Sequence, residues 1–535
     1  MRKVSDCVPT MSAMPGSDTA TPPTAYGALS ASAALAAAAE SAPLPLAVAD
    51  PFRRRSSARM MDDVARLARG LVELGVRRGH RVAIVAGMRV ETLEAVHAAL
   101  RIGAVAVLHD PASSARELRR CFEDHAAIVA IAERGALGTL RDLPSDIRPK
   151  ALIALDDPRS TADRMRGAVH APLAMARHLR RHPLRRPPRP AEHHIPWRLV
   201  LESAPLPAAH AGPSPRDLAL LQYTTGPDGT LMGAMLTHEN LVATAQQALV
   251  ALDAPEGAAV CSALPLHEPA GASIALLAPM LGSHPLVLVP GPEDAVAALR
   301  RGRPSVVAAT PGLLQQVVTT ACEGSVGLSA VRRAVVTRPG PIPSLARAWR
   351  DLADGALEVC DARAEYGISF AGPYEADAPG SVGRALPRVR VSLAEDDELC
   401  IAGPQVFHGY WNRPDETAHV LSGDGWMRTG DTAAIGPHER IEILASTRER
   451  ITLADGRTVS PREIAATLLG HPVVAAASVR GEALDEDGER VVAQVVVREE
   501  AAFDEDEVRA YVAARLSSGK VPARIEPVDR LDRPQ

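Results

Sequence analysis

Apolar residues follow two different spacings in the first part of the chain. Between residues 57 and 77 they recur as on one face of a helix, and Ser56 with Ser57 provides a helix start. Further helices are predicted at 91–101 and 114–124. Short, continuous apolar runs predict three buried strands, at residues 81–86, 103–108 and 127–132. Strands that alternate with helices are typical of a parallel, doubly wound sheet.

Three segments depart from this alternation. Residues 1–24 are rich in Ser, Thr and Pro and predict a flexible tail. The Ala-rich residues 27–40 begin too late and are too weakly apolar for a signal peptide, so they are predicted to form the first helix. Residues 158–196 contain many Arg and Pro residues. This composition favours a solvated, irregular connection, with a nucleic-acid-binding patch as the alternative.

The second half of the chain predicts two further regions. From residue 216 to about 375 strands and helices alternate again, and residues 388–402 and 426–445 are predicted as short β segments. A compact β–α–β–β–α pattern follows, with strands at 451–459, 473–479 and 490–497 and helices at 461–469 and 505–516. We therefore predict an α/β protein with a large, multi-sheet N-terminal domain at 25–445 and a small α+β C-terminal domain at 446–535.

Composition and charge exclude several classes of protein. The chain of 535 residues is 46% hydrophobic and 23% charged, as in a globular protein and unlike a disordered or collagen-like one. Its net charge of −5 indicates no overall basic surface of the kind that draws proteins to nucleic acid. No run of 18 or more apolar residues is present, so no transmembrane segment is predicted, and peripheral membrane contact stays open.

Cysteine and lysine usage narrows the chemistry further. The six cysteines are scattered without a C-x-x-C pair, which argues against a zinc ribbon and predicts reduced thiols in the cytoplasm. No metal site is predicted, because the adjacent His193 and His194 lack a partner at useful spacing. Of 59 basic residues, only Lys3, Lys150 and Lys520 are lysines. A mechanism that needs a buried lysine therefore has few candidates.

The stretch from Leu221 to Leu241 is the clearest candidate for binding chemistry. A predicted strand at 218–223 leads into a loop rich in Gly and Thr, and a helix follows near His238. Glycines allow successive backbone N–H groups to converge on an anion, and Thr hydroxyls add donors. The candidate loop residues are Thr224, Thr225, Gly226, Gly229, Thr230 and Gly233. Taken alone, the loop is equally explained by a structural turn.

Further motifs follow this loop in a fixed order. They are PLHEPAG at 265–271, EYGIS at 365–369, GSVG at 380–383, GPQVFHGYW at 403–411, GWMRTGD at 425–431, SPREI at 460–464 and KVP at 520–522. Together with LQYTTG and GAMLTHENL, they resemble the motifs of the acyl-adenylate-forming (AMP-binding) superfamily. The resemblance is strongest to bacterial medium- and long-chain fatty-acid–CoA ligases (acyl-CoA synthetases), and it covers about residues 25–535.

The resemblance implies a two-step reaction. ATP, with Mg²⁺, and a carboxylic acid, here a fatty acid, form an acyl-adenylate, from which coenzyme A displaces AMP. The resemblance assigns the Gly/Thr loop to a phosphate cradle, Tyr366 and Gly367 to the adenine site and Ser369 to the α-phosphate. It assigns Asp431 to the ribose hydroxyls, for which a carboxylate is a suitable acceptor. A buried core tyrosine and a turn aspartate are the alternatives for Tyr366 and Asp431.

Several positions depart from the family pattern where its chemistry needs charge or donors. Met232 stands where the resemblance implies a phosphate-loop lysine, and Phe370 where it implies a glutamate that binds magnesium. Pro227 and Asp228 stand in place of hydroxyl residues, and Pro227 also lacks a backbone N–H. Ser446 stands in place of an arginine.

Two further departures concern catalytic groups. Glu268 aligns with a histidine of the family, although His267 is adjacent, and Arg448 lies close to the missing arginine of the inter-domain segment. The chain also ends at LDRPQ, before the position at which the family has its catalytic lysine, so we expect a truncated small domain. No catalytic residue is therefore predicted.

The sequence leaves several functions open. We predict a protein of the fatty-acid–CoA ligase family with weak or lost ligase activity. One alternative is a working ligase in which distant arginines replace the missing cations. Another is a non-catalytic protein that binds a nucleotide, an acyl group or a partner protein, whose identity is unknown. The last is an adenylation enzyme for an amino or aryl acid, although no aspartate for gripping an amine is evident.

Overall fold

The structure is a computed structural model. It describes residues 29–44, 48–50, 53–156, 194–225, 230–324, 327–338, 343–353, 355–375, 381–395, 397–446, 451–454, 458–484, 489–498 and 502–528. The predicted tail at 1–24 and residues 158–193 of the predicted Arg- and Pro-rich connection lie outside the described residues.

The helices of the described residues are distributed along the whole chain. They are α1 (Ala31–Ser41), α2 (Ser57–Glu73), α3 (Val90–Arg101), α4 (Ala115–His125), α5 (Arg134–Arg141), α6 (Trp197–Leu201), α7 (His238–Leu252), α8 (Pro269–Ala275), α9 (Ala278–Leu281), α10 (Pro292–Gly302), α11 (Pro311–Cys322), α12 (Pro343–Leu352), α13 (Pro414–Val420), α14 (Pro461–Leu469) and α15 (Glu505–Ala513). Short 3₁₀ turns span Pro437–Glu439 and Ser518–Lys520.

The strands form four sheets. They are β1 (Val48–Ala49), β2 (Arg54–Arg55), β3 (Arg81–Val85), β4 (Val105–His109), β5 (Val129–Ala132), β6 (Ala151–Ala154), β7 (Ile195–Pro196), β8 (Leu218–Thr225), β9 (Leu231–Thr237), β10 (Val260–Ser262), β11 (Leu286–Leu288), β12 (Val306–Ala309), β13 (Arg333–Thr337), β14 (Ala356–Arg363), β15 (Gly367–Pro373), β16 (Ser381–Ala385), β17 (Arg390–Leu393), β18 (Glu398–Ala402), β19 (Met427–Ile435), β20 (Ile441–Ser446), β21 (Ile451–Thr452), β22 (Thr458–Val459), β23 (Val474–Ala483), β24 (Glu489–Val497) and β25 (Arg524–Pro527).

Two large sheets make up the N-terminal part. The seven-stranded sheet has the order β7-β6-β5-β3-β4-β8-β9 and is parallel except for the β8–β9 hairpin at its edge. The thirteen-stranded sheet has the order β17-β18-β19-β20-β16-β15-β14-β13-β12-β10-β11-β1-β2. Its β10–β14 section is parallel, and β14–β20 is antiparallel. The predicted large, multi-sheet α/β domain is confirmed.

The C-terminal part is a small α+β unit. Strands β23, β24 and β25 form one sheet, β21 and β22 form a short hairpin, and α14 and α15 complete the unit. A separate hydrophobic cluster, from Ile451 to Ile525, supplies its core. The predicted small C-terminal domain is confirmed, and β25 adds a strand that the apolar pattern did not indicate.

Local sequence explains where several elements begin. The Ser56 side chain accepts the Arg59 N–H and caps α2, and Ser30 caps α1 in the same way, so the helix predicted from the Ala-rich stretch is confirmed. The predicted strand at 103–108 begins two residues later, because Gly103 has a φ of 68° and ends the preceding turn.

The single strand predicted at 451–459 is wrong. Its two ends form an antiparallel pair, with Ile451 opposite Val459. The sequence between them contains Asp455-Gly456, a dipeptide typical of hairpin turns, which lies outside the described residues. An apolar run interrupted by such a pair therefore indicates a hairpin. Among the helices that the structure describes, none is long and apolar enough to span a membrane.

Candidate functional site

The predicted phosphate-binding segment forms the hairpin of β8 and β9. The strands pair in an antiparallel register, with Thr224 opposite Met232 and Thr225 opposite Leu231. Thr224 is buried, and Thr230 is half-buried. Four residues of the predicted loop lie outside the described residues: Gly226, Pro227, Asp228 and Gly229. The structure thus brings the two flanks of the predicted cradle together.

Met232 and Gly233 on β9 have different constraints. Met232 is only 4% exposed and belongs to the main hydrophobic core, so this position presents no cation to an anion. A Cβ atom on Gly233 would lie 3.3 Å from the Tyr223 ring and 3.5 Å from the Cβ of Trp411. The hairpin therefore has a closely packed glycine at this position and lacks the lysine implied by the resemblance.

Tyr366 and Ser369 are both fully buried. The Tyr366 hydroxyl donates a hydrogen bond to Oδ2 of Asp361 at 2.7 Å. Burial raises the pKa of Tyr366 well above its usual value, so the phenol stays protonated. The Ser369 hydroxyl donates to the backbone oxygen of Tyr366 at 3.0 Å. Both groups that the resemblance assigns to the nucleotide therefore have partners inside the protein.

Gly367 and Phe370 lie on β15 beside this tyrosine. Gly367 has a φ of 54°, and a Cβ atom there would lie 2.5 Å from Cγ2 of Thr244, so only glycine fits. Phe370 is fully buried and packs edge-on against Tyr366, with ring centroids 6.3 Å apart. The described residues contain no group of three or more His, Cys, Asp or Glu side chains that could hold a metal ion. The residues present do not fit magnesium at Phe370.

Asp431 on β19 is fully buried and already paired. Arg363, at the end of β14, forms an ion pair with Oδ2 of Asp431 and donates to the backbone oxygen of Thr429 at 3.1 Å. Arg338 lies 4.0 Å from Asp431 and 3.3 Å from Asp361. The carboxylate that the resemblance assigns to ribose hydroxyls therefore has an internal guanidinium as its partner.

We call Arg338, Asp361, Arg363, Tyr366 and Asp431 the closed polar network. Burial alone would lower the pKa of Arg363, but Tyr366, Asp431 and Asp361 raise it well above its ordinary value. The guanidinium therefore stays charged. Arg363 thus provides Asp431 with a charged partner inside the protein.

Sequence reasoning identified Tyr366 and Asp431 but missed the other members of this network. Asp361 and Arg363 are two residues apart at the end of a strand that precedes EYGIS. Two opposite charges next to a candidate ligand position were the available signal. The position of Arg338 depends on the pairing of β13 with β14, which local sequence does not reveal.

A small apolar cavity lies between β8, α7 and α8. Its volume is about 10 Å³, enough for about one water molecule. Leucines supply most of its apolar lining: Leu220, Leu236, Leu241, Leu276 and Leu277. Gln222, Thr244 and Ser273 add polar groups.

The remaining predicted positions lie beside the cavity, in the thirteen-stranded sheet or outside the described residues. The backbone oxygen of His267 accepts a hydrogen bond from Gln222 at 3.2 Å, and Nε2 of His267 is 3.9 Å from Asp110. Glu268 is the N-cap residue of α8 without a side-chain capping bond. Ser446 pairs with Asp431 through the backbone register of β19 and β20. Arg448 lies outside the described residues.

A buried aromatic cluster supports the phosphate-loop strand, and sequence reasoning missed it. The Nε2 atoms of His109 and His125 are 3.1 Å apart, and the Tyr223 hydroxyl donates to Asp124 at 2.7 Å. Burial, with a smaller effect of His267, lowers the pKa of His109 to about 3. Both histidines are therefore neutral near pH 7. Their positions at the ends of β4 and α4 were the only signal in the sequence.

Comparisons with known proteins identify the family. The sequence model of the AMP-binding enzyme family matches residues 35–411, and that of the AMP-binding enzyme C-terminal domain matches 463–535. The 2-succinylbenzoate–CoA ligase of Geobacillus kaustophilus is 27% identical over 515 residues, which are 92% of this chain and 92% of the relative. A long-chain-fatty-acid–CoA ligase of Escherichia coli is 27% identical over 503 residues, covering 86% of this chain and 83% of the relative.

A solved structure supports the same fold. The amide bond synthetase McbA from Marinactinospora thermotolerans superposes with a TM-score of 0.76 at 22% identity, covering 94% of this chain and 96% of McbA. The two CoA ligases are named for different acids, so the comparisons leave the acid open. From the matches over both parts of the chain and from the shared fold, we conclude that this protein belongs to the AMP-binding enzyme family of adenylate-forming acyl- and aryl-CoA ligases.

Proposed function

We propose that the protein is a fatty-acid–CoA ligase relative with weak or lost ligase activity, whose nucleotide site is closed by its own side chains. The observation that carries the proposal is the buried ion pair between Arg363 and Asp431. AMP-binding ligases generally use ATP, Mg²⁺ and CoA. In this chain the two groups expected at the adenine and ribose positions have internal partners, Tyr366 with Asp361 and Asp431 with Arg363.

The energy needed to open this pair supports the proposal. A ribose that displaced Arg363 from Asp431 would break a buried ion pair, and losing one partner of such a pair costs about 3–5 kcal/mol. Two hydroxyl hydrogen bonds to the Asp431 carboxylate would recover roughly 1.5–3 kcal/mol each. The internal pair therefore offsets most of the free energy that a ribose would gain at Asp431.

The phosphate side also lacks charge. Met232 and Phe370 are buried, apolar and at the positions that the resemblance assigns to a lysine and a magnesium ligand. Adenylyl transfer depends on neutralising the charge of the phosphates, and losing one preorganised donor typically costs about 2.7–4 kcal/mol. Two such losses together favour a strong reduction in activity.

The lining of the small cavity favours an aliphatic acid. Its five leucines offer only apolar contacts to a hydrocarbon chain, while Gln222, Thr244 and Ser273 mark its polar side. A volume of about 10 Å³ holds about one water molecule, so no carboxylic acid enters it without side-chain movement. We therefore propose that any acid bound here is aliphatic and enters by displacing leucines of the lining.

Two further predictions belong with this proposal. We place the protein in the cytoplasm, since the cysteines of the described residues are unpaired: Cys121, Cys261, Cys322, Cys360 and Cys400. We also retain residues 25–445 and 446–535 as the two domains.

A turnover assay tests the proposal. Purified full-length protein is incubated with ATP, Mg²⁺, CoA and separate fatty, aryl and amino acids, and pyrophosphate, adenylate and acyl-CoA are followed by mass spectrometry. We expect acyl-CoA and adenylate at or barely above the level of a sample without protein. Efficient acyl-CoA formation from fatty acids would refute lost activity, and adenylate formed only from an aryl or amino acid would replace the fatty-acid assignment.

A binding measurement separates the non-catalytic alternatives. Calorimetric titration with AMP and with a short fatty acid reports each pocket independently of turnover. Heat from the acid alone would favour an acyl-binding role. Saturable heat from AMP would contradict closure of the nucleotide site.

A further inference from the structure

The small domain has its own hydrophobic core, so its attachment to the large domain depends on surface contacts. All members of its buried cluster lie between Ile451 and Ile525. Domains that meet through limited polar contacts move relative to each other unless those contacts hold them. The described polar contacts between the domains include two that converge on the start of helix α4.

Lys520 makes the first of these contacts. Its Nζ atom lies 2.5 Å from Oε1 of Glu117 in the large domain and 3.1 Å from Oε2 of Glu463 in its own domain. The lysine side chain is 22% exposed, Glu117 is 11% exposed and Glu463 is 9% exposed. One ammonium group thus bridges a carboxylate from each domain.

The second contact lies one turn away on the same helix end. The Ser114 hydroxyl donates to the backbone oxygen of Arg515 at 3.2 Å. Ser114 is the N-cap of α4, and with Glu117 it forms a capping box. The two residues that start the helix are therefore the two that touch the small domain.

The other end of α4 holds the phosphate-loop strand. Asp124 accepts the Tyr223 hydroxyl at 2.7 Å, and its backbone oxygen accepts the Trp411 indole N–H at 3.2 Å. Tyr223 lies on β8, one residue before Thr224. Because α4 spans eleven residues, a single rigid helix joins the small domain to the strand that enters the candidate phosphate loop.

We propose that Lys520 is a charge-dependent lock that fixes the small domain on the N-terminal cap of α4 and, through α4, couples the position of that domain to β8. The contact can open reversibly, because Lys520 keeps its ion pair with Glu463 when the small domain moves away from Glu117. Glu117 retains its capping bond to the Ser114 N–H at 2.7 Å and gains water. Most buried ion pairs are costly to break because one charge is left buried without a partner. Neither Lys520 nor Glu117 is left in that state.

The charge states support this arrangement. Burial alone would lower the pKa of Lys520, but Glu463 and Glu117 raise it above its usual value, so the ammonium group persists near pH 7. Because the paired atoms are 2.5 Å apart and mostly buried, salt screens this contact much less than it screens exposed pairs. Removal of one of the two charges is therefore the direct way to release the lock, whether or not the protein has ligase activity.

Glu117→Gln tests the lock with little disturbance of the helix. Glutamine also completes a capping box, so α4 keeps its start while the charge is removed. Glu123→Gln is the matched control, since Glu123 lies on the same helix and pairs only with the nearby Arg119 in the described contacts. Lys520→Met removes the cation, and Lys520→Arg retains it.

Inter-domain distances provide the main measurement. Spin labels are attached at Asp142→Cys and Asp506→Cys, two exposed positions in different domains, in the full-length chain with Cys7 and Cys322 replaced by Ser. Electron–electron resonance should give one narrow distance for the parent, Glu123→Gln and Lys520→Arg. Glu117→Gln and Lys520→Met should each broaden or shift it.

Hydrogen exchange tests the coupling to β8. Peptides covering residues 114–125 and 218–225 should exchange about tenfold faster in Glu117→Gln, which corresponds to about 1.4 kcal/mol. Unchanged distances in Glu117→Gln and Lys520→Met would overturn the lock. Changed distances with unchanged exchange in 218–225 would overturn the coupling. Neither result depends on turnover, so failure here is distinct from failure of the proposed function.

Discussion

Two ion-pair networks of this protein differ in burial and therefore in what they can do. In the closed polar network, Asp431 is fully buried and the Arg363 side chain is 9% exposed. At the domain contact, Lys520 is 22% exposed and Glu117 is 11% exposed. Removing Arg363 or Asp431 leaves the other charge buried without its partner. When the Lys520–Glu117 contact breaks, water can reach Glu117 and Lys520 keeps its ion pair with Glu463. The first is suited to lasting closure and the second to reversible attachment.

The comparison predicts its largest effect at Arg363. Arg363→Ala leaves Asp431 as a buried, weakly compensated carboxylate, because Arg338 is 4.0 Å away. We expect a loss of about 3–5 kcal/mol in the free energy of unfolding, measured by urea denaturation. The double variant Arg363→Met with Asp431→Leu should recover most of that loss, since apolar replacement of both partners is often neutral.

Arg524→Ala is the control for this experiment, because Arg524 is 45% exposed and its ion pairs lie at the surface. Its unfolding free energy should change by less than about 1 kcal/mol. An equal loss in Arg363→Ala and Arg524→Ala would remove the distinction between the two kinds of network.

Acid should weaken the buried cluster beneath α4. Burial lowers the pKa of His109 to about 3 and that of His125 well below its usual 6.5. The unfolded chain therefore binds protons first, and the stability contributed by the neutral pair is present above pH 6.5 and lost as pH falls towards 3. Each histidine contributes up to about 1.4 kcal/mol per pH unit.

Denaturation at pH 7 and pH 5 measures this effect. His125→Gln should show a smaller loss between the two values than the parent does. His408→Gln, at an exposed position, should keep the slope of the parent. An unchanged slope in His125→Gln would show that this histidine does not control the acid sensitivity.

Glu94 provides a third buried network with the opposite pH dependence. It is fully buried and shares Arg55 with Asp63, and burial raises its pKa to about 8. The folded state therefore binds the proton more tightly. The corresponding stability is present below about pH 4.5 and is lost as pH rises through 8.

Glu94→Gln should remove this alkaline loss. The variant should gain roughly 1 kcal/mol relative to the parent for each pH unit between 6 and 8, as measured by thermal or urea unfolding. Glu123→Gln should leave the profile unchanged. A parent profile that is flat or rises in this range would contradict a protonated Glu94.

The smallest effect is expected at the domain contact. Glu117→Gln should change the free energy of unfolding of the small domain by only about 0.2–1 kcal/mol, because the pair is partly exposed and Lys520 keeps Glu463. Differential scanning calorimetry can follow this transition. A loss as large as that of Arg363→Ala would mean that the contact is structural and not reversible.

Local patterns were sufficient for much of the fold. The spacing of apolar residues and Ser56 predicted α2, and the apolar run at 218–223 predicted most of β8. The loop predicted from Thr224 to Gly233 was too long, because Thr224 and Thr225 end β8 and Gly233 lies on β9, for which no strand was predicted. By contrast, the pairing of Arg363 with Asp431 joins residues 68 positions apart. It depends on how β14 and β19 are placed in one sheet, which no local pattern specifies. The contact between Lys520 and Glu117 could not be predicted either, because it depends on how the two domains meet.

The central claim is that internal pairing closes the nucleotide site, and calorimetric titration of the full-length protein with AMP tests it most directly. The account predicts no saturable heat up to about 1 mM AMP, the upper end of ordinary substrate affinities. Saturable binding below about 100 µM that disappears in Asp431→Asn would contradict it, because the ribose would then be reaching the carboxylate that pairs with Arg363.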